Sequence, residues 1–531
     1  MISAARQSLQ PAVVLVADRT LSADYTVLFE GIFATMQTTL TPQFLMRRLL
    51  SPALKTNRFS RANLAALGLR RIESALLAYT SLTGNDVACT TPEALPGLIG
   101  PWTRLVAVSS SDPLGRGMSN STTVNFLSGE LYTRAWTRRM MNGLRRLKEK
   151  YKFTVVAGGA GAWQWTGDPD ERRRQGIDVV FEGYFETQGP RLFTDVIGGK
   201  AIAPRVIESE TACENIMPIR GASILGAIEL SRGCGRGCRF CTMSDKTMKH
   251  LPVETIVADL ETNVAEGVTS VVSTSEDFFR YGAGGSRVSF EALRRLLVEM
   301  RRIPGLRFMQ IDHANVSSIL QLTDEQLSEI RRLLTWQAKS EYLWVNLGLE
   351  SANGRLVWAN GKGKIAPFQP DDWQEMVKQA SAKLVRTGFF PVFSLILGLP
   401  GETADDVRRT LKLVKELSQG PGVMFPIFYE PVCFEDTLQD ERFHLGRMRA
   451  DHFELFTTCY EINFSRVPKL FEDNQRAGGV GWTKRMVIQM LGKAEIVSWH
   501  RRFARIDKDI RRRCVTTSVI GTTVPAVGEE S

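Results

Sequence analysis

Three cysteines within eight residues, Cys234, Cys238 and Cys241, constrain this chain more than any other stretch of its sequence. Three and then two residues separate them, and Gly233, Gly235 and Gly237 stand before and between them. Such a run does not spread over a regular helix or strand; it predicts a tight loop whose sulfurs converge. Three converging thiolates suit a [4Fe–4S] cluster, a centre held by cysteine sulfur. No fourth cysteine lies close by in sequence, so one iron would remain open to a small molecule or to another side chain. The alternatives are unrelated free cysteines or a zinc site, but zinc takes four ligands, commonly as paired C-x2-C elements, and no second pair exists.

The 531 residues allow about two or three domains. With 43% hydrophobic and 23% charged residues the composition is that of an ordinary globular protein. No run approaches the ~20 apolar residues of a membrane span, and the apolar start PAVVLVAD at Pro11 reads as a strand rather than a secretory segment. A cytoplasmic location and no membrane partner are therefore expected. Eight cysteines are too sparse for a disulfide framework. Cys89, Cys213, Cys433, Cys459 and Cys514 read as small core or surface residues. The net charge of +10 is concentrated between Arg466 and Cys514, where thirteen Lys and Arg stand against five Asp and Glu. Few aromatics interleave with them and no nucleic-acid motif accompanies them, so a solvated, partly helical face is expected rather than a nucleic-acid surface.

The N-terminal third alternates short apolar runs with helical periodicity. Residues 12–18 read as a buried strand, and residues 60–80 as a helix with Ser60 at its N-cap. A strand at 105–108 leads into Ser109, Ser110 and Ser111. A helix follows at about 134–150. A strand at 153–157 enters Gly158, Gly159 and Gly161, and one at 177–181 ends at Glu182 and Gly183. This is the pattern of an open parallel α/β sheet, in which ligands sit at the carboxyl ends of the strands and glycines let the backbone approach them. Residues 201–228 show no sustained periodicity and read as a connector.

A second series of β/α units begins at Ile228. Its strands are expected at 228–230, 269–273, 307–316, 343–349, 390–397 and 425–433. Its helices are expected at 252–266, 290–302, 324–334, 371–387 and 404–417. The series predicts a parallel barrel, complete or partial, with chemistry at the strand C-terminal ends. Residues beyond 440 read as α-rich, with Phe453, Phe456, Tyr460, Phe464, Trp482 and Trp499 serving as core or closing a substrate mouth. The final small, polar residues read as disordered. The domains expected are 1–205, a linker at 206–227, a core at 228–435, an α-rich region at 436–515 and a tail at 516–531.

The cysteine spacing, with Phe240 before the last cysteine, resembles the radical S-adenosylmethionine (SAM) superfamily. In that family the open iron binds the amino and carboxylate groups of SAM. GLESANGRLVWANGKGK, which places Glu350 at a strand end, resembles the segment that contacts the SAM ribose. LILGLPGET, with Gly398 and Gly401, resembles the late-strand motif beside the adenine.

A Rossmann-like domain ahead of such a core resembles the cobalamin-binding class. That likeness implies that Ser109, Ser110, Ser111, Gly158, Gly159, Gly161, Glu182 and Gly183 surround the corrin and its tail. All five histidines lie after residue 249, so a histidine of this domain cannot ligate cobalt from below. Arg70 or Arg71 would approach that open face, or else form a solvated helix pair.

Glu276, at the end of the second barrel strand, either reaches the cluster and SAM or, with Asp277, caps the next segment. Asp312 and His313 would meet substrate or transfer a proton.

Taken together the chain is similar to a cobalamin-dependent radical SAM methyltransferase, closest in look to the tryptophan 2-C-methyltransferase branch. That resemblance implies methyl transfer from SAM through methylcobalamin to an unactivated or aromatic carbon of a small molecule or peptide, tryptophan or another indole included. A flavodoxin- or ferredoxin-type reductant would supply electrons. A non-methylating cobalamin radical enzyme and a SAM or cobalamin sensor without turnover are the alternatives.

Overall fold

The computed structural model describes residues 10–208, 213–335, 342–431 and 442–520, the last eight of these as backbone alone. Six parallel strands build the N-terminal sheet: β1 (Val13–Ala17), β2 (Val87–Thr90), β3 (Leu105–Ser109), β4 (Thr154–Gly158), β5 (Val179–Gly183) and β6 (Arg205–Glu208), in the order β2-β1-β3-β4-β5-β6. The β1 run VVLVA is buried along its whole length because both faces of the sheet are covered, as parallel sheets require. Val14 and Val16 face one core with Met140, Met141 and Leu144. Val13 and Leu15 face the other with Leu69, Leu76, Leu192 and Phe193. The covering helices are α1 (Leu67–Tyr79), α3 (Tyr132–Tyr151) and α4 (Gly189–Ile197); α2 (Met118–Phe126) follows β3.

Two expectations fail in this region. Ser60 is not an N-cap. It lies at φ 61° in a turn where Asn57 Oδ1 accepts from the backbone of Phe59 and Arg61, and the helix starts only at Leu67. The supposed connector contains β6, which pairs with β5 from Val180↔Arg205 to Gly183↔Glu208. Its mostly exposed pattern is that of an edge strand, which shows little hydrophobic signal.

The second half forms a partial barrel. β7 (Ala227–Ile228), β10 (Ser270–Ser273) and β11 (Phe308–Gln310) make one parallel sheet, while β12 (His313–Ala314), β13 (Leu343–Glu350), β14 (Phe389–Leu397) and β15 (Val423–Phe428) make the other. The strand expected at 307–316 is thus broken between β11 and β12. Of the strand expected at 228–230 only Ile228 lies in a strand, β7; β8 (Ser231–Arg232) follows it and pairs antiparallel with β9 (Lys249–His250). Helices α5 (Val253–Ala265), α6 (Phe290–Arg301), α7 (Asp324–Leu334), α8 (Trp373–Arg386) and α9 (Ala404–Leu417) alternate with the strands. Thr403 caps α9 reciprocally with Asp406.

Two long helices, α10 (Ala450–Ala477) and α11 (Trp482–Ile520), complete the chain. Their aromatics are core. Phe126 of α2 stacks on Phe456 at 4.4 Å between centroids and lies 5.7 Å from Trp499, so all three regions share one hydrophobic cluster. Trp482 is the exception, 66% exposed. The tail expected at 516–531 is helical through Ile520; its remainder, like Cys433, falls outside the described residues. Among the described residues no helix is long and apolar enough to cross a membrane.

Candidate active site

The three cysteines sit on the loop that β8 and β9 close at its base. Cys234 N–H donates to Lys246 O at 2.9 Å. Gly233, Gly235 and Gly237 have φ of 75°, 69° and 68°, a region L side chains rarely adopt. A Cβ on Gly233 would lie 2.5 Å from Thr247 O. Burial pushes all three thiols up, Cys241 to about 12, and the Glu276 carboxylate adds to the rise at Cys234 and Cys241. Metal binding here would release protons. Among the described residues no three His, Cys, Asp or Glu side chains close on a single metal ion.

Around this loop lies a layer of charge that the sequence did not disclose. Arg236, between the first two cysteines, is 5% exposed and donates to Asp277 Oδ2 at 2.7 Å, to Ser318 Oγ at 3.0 Å and to Gly363 O at 2.5 Å. Asp277 heads a 3-10 turn without capping it through its side chain, so the capping alternative fails for this residue. Arg280 donates to Cys234 O at 3.0 Å. Arg236 Nε, Arg280 Nε and Asp277 Oδ1 are buried with no hydrogen-bond partner among the described residues. Three thiols on one loop, with unanswered buried polar atoms behind them, fit a bound inorganic group.

Glu350 is the last residue of β13. It follows a register shift against β14 and has φ 60°. It is 4% exposed and pairs with Lys364 Nζ at 2.6 Å. At the barrel mouth, His313 Nδ1 is 3.0 Å from Asp312 Oδ2, and Asn346 Nδ2 donates to Asp312 Oδ1 at 3.1 Å. The Asp312 carboxylate raises His313 to about 9. The raised value favours the charged, donating form of this ring at neutral pH. Burial raises Glu276, while His313 nearby lowers it. Glu276, Asp312, His313, Glu350 and the thiol loop therefore share one mouth.

The Gly398–Gly401 loop stands behind it. Gly398 N–H donates to Glu402 Oε2 at 2.8 Å, and the same oxygen meets His452 Nε2 at 2.8 Å. Asn360 ties this loop to the cysteines: its Nδ2 donates to Pro400 O at 3.1 Å and its carbonyl accepts from Arg239 N at 2.9 Å.

At the C-terminal edge of the N-terminal sheet, the Ser109–Ser111 and Gly158–Gly161 loops touch each other. A Cβ on Gly159 would meet Ser109 Oγ at 2.5 Å, and one on Gly161 would meet Ser111 O at 2.7 Å. Gly183, at φ 107°, would collide with Glu208 O at 2.0 Å. These glycines let the two loops and the β5–β6 edge approach one another closely. Glu182 accepts from Thr166 and Arg205.

Arg70 and Arg71 neither face a strand-end crevice nor form a solvated pair. Arg70, 6% exposed, donates to Ala222 O at 3.1 Å, Glu73 at 2.8 Å and Asn63 O at 2.6 Å. Arg71, 4% exposed, donates to Glu229 at 2.9 Å and to Asp259 and Met217 O at 3.0 Å each. Arg71 holds α1 against the barrel, and Arg70 holds it against the segment before β7. Alongside them, Arg232 donates to both oxygens of Glu186 at 2.7 and 2.9 Å and lies 4.3 Å over the Tyr184 ring.

Residues 228–414 match the Radical SAM superfamily. Among curated relatives, the ribosomal protein uS12 methylthiotransferase RimO of Anaeromyxobacter sp. strain K is 23% identical over 234 residues, 43% of this chain and 45% of that protein. The tRNA-2-methylthio-N(6)-dimethylallyladenosine synthase of Aromatoleum aromaticum is 20% identical over 296 residues, 54% and 62%. The chain spans about half the length of the curated relatives it matches. Among solved structures, the radical SAM methyltransferase TsrM of Kitasatospora setae, with cobalamin and a [4Fe–4S] cluster bound, aligns at a TM-score of 0.52 with 15% identity over 79% of this chain and 75% of that one. A second structure of that protein, with tryptophan and a SAM analogue, aligns equally.

Proposed function

On the premise that residues 228–414 carry a Radical SAM domain, we propose that the protein is a cobalamin-dependent methyltransferase. It would transfer a methyl group from SAM to an unactivated or aromatic carbon. One contact carries the reading. The Arg232–Glu186 pair holds the segment after β5 against the thiol loop, so the strand-end edge of one domain adjoins the cysteines of the other. A one-carbon carrier at the first and SAM at the second would share one reaction space. The fold likeness to a cobalamin- and cluster-bound methyltransferase over 79% of the chain supports the same arrangement.

Cys234, Cys238 and Cys241 would hold a [4Fe–4S] cluster, which supplies one-electron chemistry toward SAM. The corrinoid would lie at the Ser109–Ser111, Gly158–Gly161 and Glu182–Gly183 edge and supplies one-carbon transfer. Glu350 would face the SAM ribose, and Gly398 and Gly401 its adenine. Glu276, beside Cys234 and Cys241, would hold an ammonium group of SAM or substrate. The Asp312–His313 pair donates a charged hydrogen bond and would orient an anionic group. A mouth with carboxylates and an imidazolium suits an amino acid or peptide, with tryptophan or another indole as the aromatic candidate. A flavodoxin- or ferredoxin-type donor in a reducing cytoplasm would serve it.

The test is the iron, sulfide and corrinoid content of anaerobically purified protein, beside a variant with all three cysteines changed to alanine. About four irons and one corrinoid per chain, with only the iron lost in the variant, support the assignment. Iron without corrinoid overturns the cobalamin part. Turnover then separates the chemistries. S-adenosylhomocysteine with a methylated product supports methyl transfer, and a methylthio product would align the chain with its curated relatives instead. 5′-Deoxyadenosine without methylation marks another radical reaction, and no product marks a sensor.

A further inference from the structure

We propose that Lys364 is a charge-tuning residue of the cysteine loop, raising the reduction potential of the cluster assigned there; the inference rests on that cluster reading. The segment Gly361–Lys364 lies directly on the loop. A Cβ on Gly361 would be 2.9 Å from Cys238 Sγ, and one on Gly363 would be 2.6 Å from Arg236 O. Gly363 N–H donates to Arg236 O at 3.0 Å, and Arg236 returns a bond to Gly363 O. Two glycines thus bring the backbone close enough to place the next side chain beside the cysteine loop.

That side chain is a partly buried ammonium, 11% exposed, paired with Glu350 at 2.6 Å. This ammonium and the Glu350 carboxylate thus stand at the segment that packs on Cys238, with opposite charge. Two further cations lie at the loop: Arg236 pairs with Asp277 as Lys364 does with Glu350, and Arg280 turns to the carbonyls of Cys234 and Gly285. A site shielded from water transmits charge strongly, and net charge with hydrogen bonding sets iron–sulfur potentials. An added electron is stabilised by Lys364 and destabilised by Glu350, so the two residues act with opposite sign.

The experiment is an anaerobic redox titration of the reconstituted full chain, followed by electron paramagnetic resonance without SAM, for wild type, K364M, K364R and E350Q, each with its iron content. K364M is expected to shift the one-electron equilibrium toward the oxidised form by tenfold or more, a fall of at least 59 mV. K364R should stay near wild type, and E350Q should shift upward. Equal potentials in fully loaded K364M and wild type overturn the proposal. Should K364M not take up iron, E350Q decides: a higher potential supports the proposal, and an unchanged one overturns it. A wild type that forms no [4Fe–4S] signal overturns the cluster reading and this inference with it.

Discussion

Arg232 and Glu186 face each other through two parallel charged hydrogen bonds of 2.7 and 2.9 Å, with their side chains 3% and 2% exposed. Arg232 stands two residues before Cys234, and Glu186 three residues after the last sheet residue of β5. Their pairing fixes how the two candidate cofactor regions meet. A buried pair contributes little net stability, but removing one partner leaves an uncompensated charge, at a cost of ~3–5 kcal/mol. E186Q is expected to fall at the lower end, because Glu229 still pairs with Arg232. The double variant E186Q/R232M should recover part of the loss. Urea unfolding of the four proteins, read as a double-mutant cycle, checks this; additive losses would contradict the coupling.

Glu229 gives the same seam a pH dependence. Burial alone would raise its carboxyl, yet Arg232 and Arg71 hold it at about 2 against an ordinary 4.5. A depressed folded value stabilises above the unfolded one. The contribution is therefore complete above pH 4.5 and lost as pH falls toward 2. A shift of this size corresponds to a contribution on the order of 3 kcal/mol. Unfolding free energy should decline through this window in wild type and less steeply in E229Q. Parallel acid limbs in the two proteins would refute the assignment.

The elements were legible where chemistry is local. Apolar runs bounded by small residues located the strands, and the helix expected at 404–417 is α9. The three cysteines declared a loop because no regular element suits them. Partners far apart in sequence were not legible. Arg70 and Arg71 looked like a ligand pair or a solvated pair because Ala222, Glu229 and Asp259 lie more than 150 residues away. The glycines after β4 looked like room for a ligand; that they also let this loop pack on Ser109 and Ser111 from another strand end was not legible. Lys364 escaped notice inside GKGK. Only folding shows that Gly361 packs on Cys238 and Gly363 on Arg236, which sets the following Lys364 beside the loop, although a lysine just after two close-approach glycines was the available signal.

Asp312 sets the protonation of His313. Because the folded value is raised to about 9 from 6.5, the imidazolium persists through neutral pH and is lost only as pH rises past about 9. D312N should return the ring toward its ordinary value. Proton magnetic resonance titration of the histidine signals reads this directly. Binding of an anionic substrate group should then be flat from pH 6.5 to 8 in wild type and fall with rising pH in D312N. An unmoved His313 titration would remove Asp312 as its cause.

His452 links the C-terminal helices to the loop proposed to lie beside adenine. Its Nδ1 accepts the Arg449 N–H at 3.3 Å, so the ring proton resides on Nε2 and is donated to Glu402 at 2.8 Å. Glu402 in turn holds Gly398 N–H, while Phe443 occupies the space a Gly398 side chain would need. His452 is thus a positioning residue that acts through Glu402. H452A removes one buried hydrogen bond to a charged group, worth ~1.5–3 kcal/mol. If the loop relaxes as a result, SAM affinity should weaken by about tenfold, equivalent to 1.4 kcal/mol. H452Q keeps a donor and should recover most of it. Equilibrium dialysis with SAM, on variants matched for iron content, separates positioning from general destabilisation. Losses of equal size in H452A and H452Q at unchanged thermal stability would show that the donated hydrogen bond does not set the loop.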